Sequence, residues 1–151
     1  MLRRIGILLI VLIAIISYVY VANAQMGEKG SKKTTTLPNG DAIWDLNGEW
    51  DGIMEFYGRW SDSGSHPRLF PLLVKITQTG SSFVGYKIKK DEPWFPKGEE
   101  SIRGELDKSG FKKVQIITDA APLESRGKIS EDGNKIIIDE GERVRLTLTR
   151  K

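Results

Sequence analysis

The loop at residues 61–67 contains the residue types that hydrolases use for nucleophilic catalysis. Asp62, Ser63, Ser65 and His66 lie within five residues of one another. A catalytic triad needs its nucleophile, its base and its orienting carboxylate on separate rigid elements, and one Gly/Ser-rich loop does not hold them in that way. We therefore expect His66 to be an ordinary loop residue.

Other catalytic and metal-binding patterns are missing from the sequence. Asp91/Glu92 and Glu99/Glu100 are adjacent carboxylates in a charged stretch, which is typical of solvated loop residues. With no cysteine and one histidine, a Cys/His zinc site, an iron–sulfur cluster and a thiolate nucleophile are excluded. There is no G-x-S-x-G, Walker or dinucleotide-binding pattern. The sequence predicts a protein that is not an enzyme, without a cofactor and without a metal site.

A second group of residues is suited to binding. The segment Pro93-Trp94-Phe95-Pro96 places two large apolar side chains on a loop that proline stiffens. Exposed apolar groups of this size often mark a contact site; the alternative is a plug that folds back over the domain. Further aromatic and basic residues flank another loop. The candidate ligand-binding residues are Tyr57, Trp60, Arg68, Trp94 and Phe95.

These loops need a scaffold, and hydrophobic periodicity indicates one. From Leu46 onward, apolar and polar residues alternate with a period of two, which is the pattern of half-buried strands. Eight such runs follow one another, without an amphipathic helix, and predict an all-β antiparallel sandwich or barrel. The runs are 50–57, 70–77, 83–89, 102–106, 111–118, 125–130, 135–139 and 143–149.

Loop lengths indicate how the strands are connected. Tight glycine turns near residues 80, 109 and 133 alternate with longer connections. In an up-and-down meander alternate connections lie at the same end, so the longer loops share one end, called here the long-loop end, and the tight turns share the short-turn end. The candidate binding residues then lie together at the long-loop end.

Closure into a barrel requires the last strand to pair with the first. A register with Trp50 opposite Leu148 would set Glu55 against Arg143, an opposite-charge pair worth about 0.2–1 kcal/mol. It would also bring Arg150 close to Trp50 for a cation–π contact. The alternative is an open sheet whose basic last strand is solvated.

The inward positions of this barrel carry bulky residues, which favours a packed lower barrel. An eight-stranded barrel is wide enough for its side chains to fill it or for one small ligand to enter. A ligand would therefore bind at the long-loop end. The predicted inward residues are Trp50, Met54, Phe56, Phe70, Leu72, Val74, Ile76, Ile102, Leu106, Val114, Ile116, Ile129, Val144, Leu146 and Leu148.

The stretch 46–52 contains the G-x-W element Gly48-Glu49-Trp50 at the start of the first strand. It resembles the opening of lipocalin-like and other calycin barrels, and the stretches 76–80, 127–134 and 145–150 look like small bacterial lipocalin-like domains of unassigned function. The resemblance covers roughly residues 46–151. It implies a lipocalin-like eight-stranded meander barrel in which Trp50 packs across the floor and Arg150 caps it, so Gly48, Trp50 and Arg150 are expected to close the barrel.

Residues 1–24 have the three parts of a secretory signal: Arg3 and Arg4, an apolar run, and the cleavage site Ala22-Asn23-Ala24. The alternative is an uncleaved membrane anchor over residues 5–24, because 20 largely apolar residues can span a bilayer. Both predict export, to the periplasm or to the outside of the cell. The Gly-, Lys- and Thr-rich residues 25–40 are expected to be a flexible linker before a barrel domain at 41–151.

Charge and compartment limit the partners. The net charge of +3 belongs to the N-terminal segments, because residues 41–151 contain 18 basic and 19 acidic residues. Nucleic acid is therefore not an expected partner, and a membrane is one only if the first segment is retained. We expect a non-enzymatic binding module for a small apolar or amphipathic ligand at the long-loop end. The alternative is a protein-interaction or structural domain with a filled barrel, in which Trp94 and Phe95 contact a partner chain.

Cleavage of the signal should give a mature chain that begins at Gln25. Mass spectrometry of the intact protein from its own host measures this directly. A mass that retains residues 1–24 would instead establish the membrane anchor.

Overall fold

A computed structural model describes residues 33–58, 67–88 and 98–151. The predicted signal segment 1–24, residues 25–32 of the predicted linker, and the candidate residues Trp60, Trp94 and Phe95 lie outside the described residues. The described residues form ten strands and no α-helix: β1 (Thr34–Thr36), β2 (Ala42–Trp44), β3 (Gly48–Phe56), β4 (Arg68–Thr79), β5 (Ser82–Lys87), β6 (Glu100–Asp107), β7 (Gly110–Ile117), β8 (Pro122–Ile129), β9 (Lys135–Asp139) and β10 (Val144–Arg150). The described residues contain no helix that is long and apolar enough to cross a membrane.

Strands β3 to β10 form a closed antiparallel barrel. Each strand pairs with its neighbour in sequence, and β10 pairs with β3. The predicted eight-stranded up-and-down barrel is therefore confirmed, and the open sheet is excluded. The period of two in the sequence explains the result, since it places one apolar face of every strand toward the common interior.

The closing register differs from the predicted one by two residues. Arg150 lies opposite Trp50 and Arg145 opposite Glu55, so the expected pairing of Glu55 with Arg143 was wrong. Arg143 instead pairs with Glu140 in the turn that precedes β10. A shift of two residues leaves every side chain on the same face of the sheet, so hydrophobic periodicity does not distinguish the two registers.

The barrel interior is filled by apolar side chains. All predicted inward residues are buried except Ile129, which is half-buried and packs against the core. Five further buried hydrophobic residues among those described were not predicted to be inward: Ile43, Leu46, Phe83, Ile136 and Ile138.

Glycines show how closely the interior is packed. A methyl group added at Gly85 would lie 2.6 Å from Ile102 and 2.9 Å from Val74, and one added at Gly52 would lie 2.8 Å from Leu148. Carbon atoms that are not bonded do not approach so closely without displacing a neighbour. At these positions the barrel has no room even for one more carbon.

An N-terminal hairpin of β1 and β2 covers the short-turn end, and its position corrects the predicted linker. The β-branched residues of β1 pair with β2 around a turn that Gly40 completes with a φ of 89°. Residues 34–40 therefore belong to the folded domain. Threonine favours a strand when a partner strand is available. Composition alone does not predict that β2 is this partner.

The hairpin is held by β4 and by the β8–β9 turn. The side-chain oxygen of Gln78 accepts a hydrogen bond from the Leu46 amide at 2.8 Å, and its side-chain nitrogen donates to the Trp44 carbonyl at 3.0 Å. A methyl group at Gly133 would lie 2.8 Å from the Trp44 ring. The segment thus packs on β4 and on the tight β8–β9 turn, at the floor of the barrel.

Arg150 joins the floor to the last strand. Its guanidinium carbon lies 4.3 Å from the centre of the Trp50 ring, and its nitrogens donate to the carbonyls of Asn47 at 2.9 Å and Asp45 at 2.6 Å. The Trp50 indole nitrogen donates to the Leu46 carbonyl at 3.0 Å. Burial lowers the pKa of Arg150 from its ordinary value. The predicted contact between Arg150 and Trp50 is confirmed.

Replacing Arg150 by alanine should destabilise the domain by about 3 kcal/mol, because it removes hydrogen bonds from a charged group and a cation–π contact. Urea denaturation measures the loss. Arg143→Ala is the matched control, since Arg143 is exposed and its side chain pairs, among the described residues, with Glu140 of its own turn, and it should cost less. Equal losses in both variants would contradict the role of Arg150.

Candidate functional site

The β3–β4, β5–β6, β7–β8 and β9–β10 connections lie at one end of the meander, as the loop lengths predicted. The core reaches this long-loop end at two phenylalanines. The rings of Phe56 and Phe70 meet edge to face with centres 5.4 Å apart, and the guanidinium carbon of Arg68 lies 4.6 Å from the centre of the Phe70 ring. Arg68, a predicted candidate, is therefore placed at the barrel mouth.

An apolar cleft of about 90 Å³ opens beside Phe56. The β7–β8 connection forms one wall and the start of β10 forms the other. The lining residues are Phe56, Thr118, Ala120, Ala121, Leu123, Arg143 and Val144. The side chains of the core fill the barrel beneath it.

A larger cleft of about 300 Å³ lies next to it, between the ends of β5, β6 and β7. It is lined by charged and hydroxyl groups as well as by apolar atoms, and Thr118 belongs to the walls of both clefts. The lining residues of this polar cleft are Lys87, Glu99, Glu100, Ser101, Ile117, Thr118 and Asp119.

Lys87 is the most buried charged residue of the polar cleft. It follows the inward positions Phe83 and Gly85 along β5, so strand alternation points its side chain inward, and it is 3% exposed. The alternation of residues along β5 is the sequence signal for an inward Lys87. Sequence reasoning missed Lys87 because both faces of residues 83–89 carry large apolar groups.

Ser101 enters the cleft because β6 is irregular. Gly85 pairs with Ile102, whereas its neighbour Tyr86 pairs with Glu100, so Ser101 is an extra residue at a bulge. Both Ser101 and Ile102 are buried, and Ser101 is 5% exposed. Glu100 lies beside them, with one carboxylate oxygen 3.6 Å from an Arg103 nitrogen. No sequence pattern indicated this bulge.

Tyr57, another predicted candidate, lies on the outer wall. Its hydroxyl donates to the Glu55 carboxylate at 2.8 Å, and the Arg145 guanidinium carbon lies 5.8 Å from the centre of its ring. Burial and the hydrogen bond to Glu55 raise the pKa of Tyr57 above its ordinary value. Arg145 also forms an ion pair with Asp139, with 2.7 Å between a guanidinium nitrogen and a carboxylate oxygen. The Tyr57 hydroxyl therefore stabilises the closing strands rather than the mouth.

The outer wall also carries an apolar patch, defined by Ile53, Leu69, Pro71 and Leu73. Ile53 lies opposite Pro71, and the flanking Leu69 is 55% exposed and Ile53 48% exposed. These are outward positions of β3 and β4, so the patch is separate from the two clefts.

Within residues 33–58, 67–88 and 98–151, no group of acidic or histidine side chains has a geometry suited to a metal ion.

The raised pKa of Tyr57 predicts a pH dependence of stability. In the unfolded chain a tyrosine loses its proton near pH 10, whereas the folded state favours the neutral hydroxyl. The stabilisation is thus present below pH 10 and is lost as the pH rises through the higher folded pKa. Denaturation between pH 8 and 11 should show a smaller decline in Tyr57→Phe than in the natural chain. Identical curves would contradict this.

Comparison of the chain with protein-family models, with curated proteins and with solved structures returned no match. The site is therefore interpreted from its own geometry.

Proposed function

We propose that the protein is an exported, non-enzymatic binding module of the lipocalin-like type, which accommodates a small apolar or amphipathic ligand at the long-loop end. The observation that supports this most is the pair of clefts that meet at Thr118, one apolar and one polar, above a filled barrel. Adjacent apolar and polar surfaces are what an amphipathic molecule needs.

The packing of the core supports a ligand at the mouth rather than in the interior. Gly52 and Gly85 leave no space for a single added carbon. Ligand pockets in proteins usually have volumes of about 300–1,000 Å³; the polar cleft reaches the lower end of that range, whereas the apolar cleft, at about 90 Å³, holds only a short chain.

The chemistry of the clefts supports binding rather than catalysis. Ser101 is the hydroxyl group most enclosed in the polar cleft, and no base among the described residues is hydrogen-bonded to it. Without a base a serine hydroxyl is a weak nucleophile.

The second candidate function is contact with a partner protein. The apolar patch around Ile53 and Leu69 favours it, because apolar side chains that are exposed side by side often mark interaction surfaces. Trp94 and Phe95 remain the loop residues proposed for such a contact. This alternative keeps the filled barrel and moves the function to the outside.

Native mass spectrometry of protein from its own host distinguishes the two functions. A small retained mass is expected for the binding module, and a retained second chain would support the interaction domain. Ala120→Trp should abolish the small adduct by filling the apolar cleft, whereas Ala42→Trp, an exposed alanine on the hairpin at the other end, should retain it. Repeated absence of an adduct would contradict the proposal.

A further inference from the structure

The apolar cleft lies beside a gap in the barrel wall, which arises because β9 is shorter than its neighbours. Strand β8 begins at Pro122, but its pairing with β9 begins at Arg126, which lies opposite Asp139, the last residue of β9. Strand β10 also pairs with β9 as far as Asp139, which lies opposite Arg145. Residues 122–125 of β8 therefore have no paired strand among the described residues on the side of β9. This edge of β8 is called here the free edge.

Hydrogen bonds at the two ends of β8 show which main-chain groups face the free edge. The Thr118 amide donates to the Ala121 carbonyl at 3.3 Å, so Ala121 faces β7. The Ser130 amide donates to the Lys135 carbonyl at 2.9 Å, so Ser130 faces β9. In antiparallel pairing, consecutive residues direct their main-chain groups alternately to the two sides of a strand. The N–H and C=O of Glu124 therefore both point to the free edge.

The chain beyond β9 turns away from these two groups. Two residues beyond Asp139, the position in register with Glu124 belongs to Gly141, but the Gly141 amide donates to the Asp139 carboxylate at 2.7 Å. Within the described residues, no hydrogen bond joins the main chain of Glu124 to a group on this side. A donor and an acceptor that point the same way are what one residue of an extended peptide pairs with.

The apolar cleft suits a side chain of such a peptide. Glu124 is exposed and points outward, so a peptide residue paired with it also points outward and the next residue points inward, opposite Leu123. There the cleft of about 90 Å³ is lined by Leu123, Phe56 and Val144. It accommodates one aliphatic side chain.

The length of the free edge favours a short peptide. The Pro122 carbonyl faces the same way as Glu124, but proline has no N–H with which to continue the pairing. At the other end Arg126 is already paired with Asp139. Glu124 is therefore the one residue of the free edge that can exchange two hydrogen bonds with a ligand.

We propose that the ligand of this protein is a short extended peptide, which pairs with the main chain of Glu124 and places one aliphatic side chain in the apolar cleft, against Leu123 and Phe56. This inference rests on the proposed function and specifies the ligand class for the same end of the barrel. A peptide of this kind is amphipathic, because its main chain is polar and its side chain is apolar.

Titration with acetyl-Ala-Leu-amide, followed by the backbone amide NMR signals of Glu124 and Ala121, tests the proposal. Methylation of the alanine nitrogen removes the donor to the Glu124 carbonyl and should weaken binding about tenfold. Replacing the leucine of the peptide by alanine should also weaken binding about tenfold, because less apolar surface is buried. Equal binding of the methylated peptide would overturn pairing with the free edge.

A titration with 1-hexanol separates the peptide class from the proposed function. Binding of hexanol without binding of any peptide would overturn the peptide class and leave the binding module standing. No response to hexanol or to the peptides would contradict both.

Glu124→Pro removes the free N–H from the protein itself. This N–H points away from β7, and proline is tolerated where a strand edge faces solvent. The variant should bind acetyl-Ala-Leu-amide about tenfold more weakly. Glu124→Ala is the matched control, since it removes the same side chain and keeps the N–H, and it should bind like the natural chain. Equal affinity of the two variants, with equal midpoints of thermal unfolding, would overturn the proposal; if Glu124→Pro fails to fold, the methylated peptide decides.

Discussion

The contact of Arg150 with Trp50 joins the two ends of the folded domain. Trp50 belongs to the first barrel strand and Arg150 to the last, so closure of the sheet and formation of the floor depend on the same pair. The guanidinium also binds two carbonyls of the segment that enters β3. This segment carries Leu46 and follows the hairpin. The Arg150 side chain therefore connects the N-terminal hairpin, the floor of the barrel and the pairing of β10 with β3.

The filled core below the mouth has a direct consequence for function. An interior in which glycine cannot be replaced by alanine without displacing its neighbours acts as a rigid support and does not act as a ligand chamber. Polar groups that would be costly inside the barrel are found at its long-loop end. Lys87 is the last residue of β5, and Glu100 and Ser101 are the first residues of β6. A site of mixed polarity therefore coexists with an apolar core.

Much of the architecture could be predicted from residue patterns because burial acts on each strand separately. The eight strands, their meander order and most inward residues follow from a period of two and from loop lengths. The register of β10 against β3 was wrong by two residues, since a shift of two keeps the same faces and the charge pattern favoured Arg143 over Arg145. The hairpin was missed because the strand character of Thr34–Thr36 depends on its pairing with β2.

The sequence by itself determined that residues 46–151 carry the period of two of an all-β domain and that the chain has no cysteine for thiolate or Cys/His zinc chemistry. It predicted closure through Trp50 and Arg150 and left the open sheet as the alternative. Only the tertiary structure decided how the mouth is built. Ser101 faces the cleft because a bulge inserts it between paired positions, and Lys87, Ser101 and Asp119 come from three different strands or connections. Alternation is a local property of one strand, whereas a cleft depends on the relative heights at which several strands end, and that is set by register and bulges.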